Sequence, residues 1–242
     1  MSKTNIALNG KTYKDIERVV LDNKIFKYIG QVPSGYQVIK GIKNPYGAYI
    51  DTDIKIFNTD TVEISFNFDD ASTPFGFIMG WRTSGGTEAG YQCCVVKSTY
   101  VKDNSGVYPL GHMILVGKAA RVDNIGTYTD VFNDDDQTVT IDFANQTIKV
   151  NGVLVDVPAD FTKPFVDGSS VYNPALFALH NSGTVTKTNN FGNTYLYGFS
   201  VIRNNEYIVE MIPVKKNDGT IGMYDIARDQ FFGSANENAF TE

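Results

Sequence analysis

Residues 195–232 read YLYGFSVIRNNEYIVEMIPVKKNDGTIGMYDIARDQFF, and their period of two leaves little choice of fold. Tyr195, Tyr197, Phe199 and Val201 alternate with Leu196, Gly198 and Ser200. Tyr207, Val209 and Met211 alternate with Ile208, Glu210 and Ile212. Successive side chains on a strand point to opposite faces, so this spacing buries one face of an antiparallel sheet. For the odd-numbered residues of both strands to share a face, the first turn, Arg203-Asn204-Asn205, must hold an odd number of residues. A three-residue loop with Asn205 left-handed meets that need. The second turn is Asn217-Asp218-Gly219, where Asp-Gly tolerates positive φ. Ile221, Met223 and Tyr224 then return toward a core, and residues 225–230 suit a short helical turn.

The same grammar extends upstream. Residues 62–68 alternate Val62, Ile64, Phe66 and Phe68 with Glu63, Ser65 and Asn67, a half-buried strand. Residues 48–57, 75–81, 90–97, 112–116, 127–131 and 176–179 are further strand candidates. Residues 138–143 and 147–150 form a hairpin about Asn145-Gln146, and Asn151-Gly152 turns the chain into residues 153–157. Residues 158–174 hold three prolines and read as a long loop. Many short strands at this spacing, in 242 residues, predict one all-β antiparallel jelly-roll sandwich. Residues 1–44 are expected to be strands integrated at its edge, or an anchor. In that segment Ile25, Phe26 and Ile29 are the candidate contact with a partner protein. Residues 45–242 make the jelly roll.

Charge and cysteine content narrow the functional classes. Net charge is -6 with no basic stripe, which argues against nucleic-acid binding. Cys93 and Cys94 are adjacent, and neighbouring Cα atoms lie ~3.8 Å apart, short of the roughly 4.4–6.8 Å a disulfide spans. They are read as free thiols on a strand, one in and one out. The first residues carry no apolar h-region, so no signal peptide is expected. No run approaches the ~18 apolar residues of a membrane span.

Catalytic constellations are sparse. A retaining glycosidase needs two carboxylates ~5–5.5 Å apart. Glu63 and Asp69 share a strand face but stand six residues apart, with Ser65 and Asn67 between them. His112 and His180 are the only histidines, and neither follows a nucleophile elbow. Asn133-Asp134-Asp135-Asp136 is a carboxylate-rich loop of the kind that takes Ca²⁺, without EF-hand spacing. No metal site is assigned, and Ca²⁺ is the one cofactor the sequence leaves open. A glycan site would combine an aromatic platform with polar side chains. Trp81 and Arg82 at the start of a Gly-rich loop, with Tyr91, His180 and Asn181, are the candidates. Trp81 has two roles open to it, sugar platform or core plug.

The segments "YGAYIDTDIKIFNTDTVEISFNF", "VTIDFANQTIKVNGVLV" and "LFALHNSG", followed by the closing residues 195–232, resemble the laminin-G-like, concanavalin-A-like jelly-roll domain. The variant it resembles is common in gut bacteria and their phages. That variant closes roughly as "DFIPxxxxDGxIGLYDxxxxxFY". Here Met211-Ile212-Pro213, Asp218-Gly219, Ile221-Gly222 and Tyr224-Asp225 occupy those places. Where the family often has "YIDTG", this chain has Asp53, which alters a glycine-dependent turn. The opening "IALNGKTYKDIERVVL" is similar to the start of tailed-phage virion structural proteins. The resemblance implies a non-enzymatic virion surface protein, made in the host cytoplasm, that adheres to host glycans or decorates the particle. Its partners would be other virion proteins and host-surface glycans, with a symmetric homo-oligomer allowed for. A bacterial lectin-like protein, or a glycoside hydrolase on the same fold, is the alternative.

Overall fold

The computed structural model describes residues 4–8, 11–16, 32–45, 47–67, 75–82, 91–98, 111–118, 136–155, 170, 172–181, 183–187 and 194–242. Its two main sheets, of ten and seven strands, enclose the core, and no helix occurs among the described residues. The ten-stranded sheet runs β12 (Val153–Val155), β11 (Thr147–Val150), β10 (Asp136–Asp142), β6 (Asp60–Asn67), β16 (Tyr195–Arg203), β17 (Glu206–Lys216), β18 (Ile221–Asp225), β19 (Gln230–Phe232). The opposing sheet runs β15 (Thr184–Lys187), β14 (Ala178–Asn181), β7 (Phe75–Arg82), β13 (Ala175–Leu176), β5 (Ile50–Asp51). β8 (Tyr91–Ser98) and β9 (Gly111–Lys118) extend it from β7. Pairing is antiparallel except where β14 lies parallel to β7. The fold is the all-β, jelly-roll-like sandwich the alternation predicts.

The core lies between the sheets. Val62, Ile64, Phe66, Phe199 and Val201 of the larger sheet meet Ile50, Met79, Trp81, Cys93 and Leu176 of the smaller. Cys93 and Cys94 are free thiols on opposite faces of β8, as adjacent strand residues must be, yet both are buried. Cys94 packs with Phe77 and Leu179 on the far side of its sheet.

β1 (Thr4–Leu8) and β2 (Lys11–Ile16) pair only with each other among the described strands. Ile25, Phe26 and Ile29 lie outside the described residues. β3 (Tyr36–Val38) and β4 (Ile42–Lys43) join the large sheet inside it: β3 pairs β17, and β4 pairs β16. They fill the wedge where β16 and β17 diverge. Pro213, which has no N–H to give a ladder, sits where β17 leaves β16 for β3.

Four local expectations are corrected. The first closing turn is two residues, Asn204-Asn205, both at positive φ (52° and 64°), with Arg203 paired to Glu206. The odd residue is instead a bulge at Ile208, between the pairs Val201–Val209 and Ile202–Tyr207. A second bulge at Tyr197, between the pairs Leu196–Phe66 and Gly198–Ser65, shifts the parity of β16. Leu196, Phe199 and Val201 are therefore the buried residues, while Tyr195 and Tyr197 are only half-buried. Finally, the strand read over residues 48–57 is reduced to Ile50–Asp51. Asp53 stands at φ 50° and ends it. Over residues 225–230 there is no helix: Asp225 and Gln230 end and begin paired strands, and residues 226–229 form the turn between them.

Candidate functional site

The structure gathers most of the predicted glycan residues at one end of the smaller sheet. β14 lies beside β7 with His180 opposite Trp81 and Asn181 opposite Arg82. Arg82 Nε donates to Asn181 Oδ1 at 2.9 Å. The His180 ring packs on Tyr172, with centroids 4.8 Å apart. Tyr91 starts β8, two residues beyond the Cys93–Trp81 pair, and its side chain lies outside the description. Trp81, however, is 2% exposed and packs on Phe143 at 6.3 Å. It is the core plug and offers no face to a sugar. Trp81 Nε1 and His180 Nδ1 are buried without a hydrogen bond among the described residues. What the described side chains offer here is a bonded Arg82–Asn181 pair beside the Tyr172–His180 ring contact.

Among the described residues no cluster of His, Cys, Asp and Glu is placed to hold a metal. Asn133, Asp134 and Asp135 lie outside the description, as does Asp69. Asp136 begins β10, where its carboxylate accepts Asn67 Nδ2 at 3.2 Å.

A different constellation stands on the outer face of the large sheet. Cross-strand register lines up Lys43, Tyr195, Asn67 and Asp136 on four adjacent strands. The next row holds Gly198, Ser65 and Thr138, with Ser65 Oγ and Thr138 Oγ1 2.9 Å apart. The row after that holds Glu210, Ser200, Glu63 and Thr140. Alternation keeps Tyr197 beside Tyr195, and the bulge that follows sets both opposite the buried Phe199 and Val201; their centroids lie 5.9 Å apart with planes 17° from parallel. Lys40 Nζ lies 5.6 Å and 5.8 Å from the two centroids, and Lys43 Nζ lies 4.8 Å from that of Tyr195. Gly41 makes the arrangement possible: a Cβ there would meet Tyr197 Cδ1 at 2.8 Å and Tyr195 Cδ1 at 3.1 Å. The result is a two-ring aromatic surface bordered by small polar side chains and two ammonium groups. Alternation alone put both tyrosines in the core, because a one-residue bulge leaves no mark in the hydrophobic pattern.

A cavity of about 460 Å³ opens between the Asn217–Gly219 turn and the C-terminal segment, lined by Asp218, Thr220, Ser234, Asn236 and Asn238 among others. Its polar groups serve each other. Thr220 N–H donates to Asp218 Oδ1 at 2.8 Å, and this bond, with the Thr220 hydroxyl, holds the Asp218 carboxyl below its ordinary range. Asn236 Oδ1 accepts Ser234 Oγ and Asn238 N–H, and its Nδ2 donates to Gly47 O. The cavity is bound up with holding the tail in place.

No protein-family model matches this sequence, and no curated protein matches it. Among solved structures, the NanB sialidase from Streptococcus pneumoniae in complex with a chlorobenzyl-ammonio-ethanesulfonate overlaps 84% of this chain and 38% of its own, at 11% identity and TM-score 0.29. A structure described as NanB plus Optactamide overlaps 81% of this chain and 37% of its own, at 12% identity and TM-score 0.33. The chain thus spans well under half the length of those proteins. Superpositions at this level carry no argument about activity.

Proposed function

We propose that this chain is a non-enzymatic, lectin-like sandwich carried on the surface of a tailed-phage particle, where it adheres to host glycans. One observation carries the adhesive part: the Tyr195–Tyr197 pair on the polar outer face of the large sheet. Sugar rings present a C–H face that stacks on aromatics and hydroxyls that seek short polar partners. The rows of Asn67, Ser65, Thr138 and Ser200 supply the second beside the first. The phage setting is supported by the sequence resemblance of the opening and closing segments. In that setting other virion proteins are the structural partners, the chain is made in the host cytoplasm, and no cofactor is required. Decoration of the particle without adhesion is the competing virion role.

The test is location plus adsorption. Immunogold labelling of the particle is expected at the tail or its fibres. Purified protein is expected to bind the host bacterium and to lose that binding when host glycans are oxidised with periodate. Label spread over the head, with no adsorption to cells, contradicts the proposal.

Hydrolysis is the second reading, favoured by one feature. Glu63 and Glu210 flank Ser200 on the outer face, two strand spacings apart, or ~9–10 Å between backbones. That is near the upper limit of the roughly 6.5–9.5 Å an inverting pair uses. Release of reducing ends by the wild type but not by Glu63→Gln would establish it.

A further inference from the structure

We infer that the Tyr195–Tyr197 platform selects an acidic saccharide over a neutral one, an inference that rests on the glycan-adhesion reading. The two lysines carry it. Lys43 is the cross-strand neighbour of Tyr195, and Lys40 reaches the same rings from the link between β3 and β4. Both ammonium groups hover within 4.8–5.8 Å of ring centroids, close enough for attraction to the π faces. Neither takes part in a salt bridge among the described residues; the ion pairs there are Arg203–Asp60, Lys215–Glu242 and Arg228–Asp225.

Among the carboxylates of these rows, Asp136 shares the Tyr195 row from two strands off, and Glu63 and Glu210 lie two rows further along. Asp136 is two strands from Tyr195 and accepts Asn67. Glu63 stands further along β6 and takes the Thr140 hydroxyl at 3.4 Å. A neutral sugar stacked on Tyr195 and Tyr197 would use the rings and gain little from two ammonium groups. An acidic sugar would place its anionic group at their edge, where the amines leave the rings to form charge-assisted hydrogen bonds. The chain as a whole carries net charge -6, so a local pair of cations is what would admit an anionic ligand to this surface. Gly198 and Ser65 in the adjacent row leave low ground beside the rings for the next sugar of the chain.

An array of neutral, sialylated, uronate-containing and sulfated oligosaccharides tests this with the full chain. Wild-type protein is expected on the acidic spots only, with retention falling as salt rises. The double variant Lys40→Gln/Lys43→Gln should lose about tenfold in affinity for those spots. Lys40→Arg/Lys43→Arg should keep it, with unchanged near-ultraviolet circular dichroism in both. Whether carboxylated or sulfated spots are preferred tells which anion the amines meet. Equal binding to neutral and acidic spots, or no loss in the glutamine variant, overturns the anion selectivity and leaves adhesion standing. Loss of all binding to every spot by the wild type overturns both.

Discussion

Arg203 and Asp60 form a two-pronged ion pair across β16 and β6: Nε and Nη2 each donate to a carboxylate oxygen at 2.8 Å. Asp60 is fully buried, and it also accepts the Phe57 N–H at 2.8 Å, closing the turn that enters β6. The carboxylate in turn holds the Arg203 guanidinium charged, above its ordinary pKa. Removing the arginine strands a buried anion, which costs more than the pair contributes. Arg203→Ala is expected to lower stability by about 3 kcal/mol in urea denaturation. Arg203→Lys should lose less, keeping the charge without the fork.

Asp53 occupies a left-handed backbone position, the region that favours glycine. Its φ is 50°, and its N–H donates to Asp51 Oδ1 at 3.1 Å. The neighbouring carbonyls are pinned from below by Arg228, whose Nη2 donates to Thr52 O at 3.0 Å while its Nε pairs with buried Asp225. The left-handed conformation is therefore imposed, and a residue without Cβ would hold it at lower cost. Asp53→Gly should raise stability by about 0.5–1 kcal/mol, read as a higher denaturation midpoint. An unchanged or lower midpoint would mean the aspartate side chain itself holds the turn.

Tyr224 gives the fold an alkaline limit. Burial, followed by its hydrogen bond to Asp229, pushes the phenol up to about 12. An unfolded tyrosine ionises near pH ~10. The stability contributed by the neutral folded phenol is thus complete below ~10 and is lost as pH rises toward about 12. Wild type should be more stable than Tyr224→Phe at pH 8, with the gap closing above pH 10. A constant gap through pH 11.5 would contradict this.

The thiols should be inert in the folded protein. Burial raises both, Cys94 to about 12, and only thiolate reacts. Ellman's reagent at pH 8 is expected to find neither in the native chain and both after unfolding. A fast-reacting thiol in the native state would show that the Cys94 side of the sheet opens.

Strands were legible where alternation ran unbroken. Val62, Ile64 and Phe66 are buried as their spacing requires, and the hairpin about Asn145-Gln146 forms with Gln146 at φ 55°. Two kinds of information were hidden. Bulges at Tyr197 and Ile208 change which side chains face the core without altering composition, so the tyrosine platform was read as interior. The fate of Trp81 depends on Phe143, which is 62 residues away in sequence and meets it only through the packing of the two sheets. The sequence places Asn181 on a different polar loop from Trp81 and Arg82, and the parallel pairing that brings His180 and Asn181 beside them is not written locally.

The central claim is that the outer face around Tyr195 and Tyr197 is where a glycan lands. Amide NMR titration of the full chain with an oligosaccharide retained on the array tests it most directly. Shifts confined to residues 40–43, 65–67 and 195–198 are the predicted result. Shifts at Arg82 and Asn181, or around the cavity of Asp218 and Asn236, would contradict it, as would a tyrosine double variant, Tyr195→Ala/Tyr197→Ala, that binds as well as the wild type.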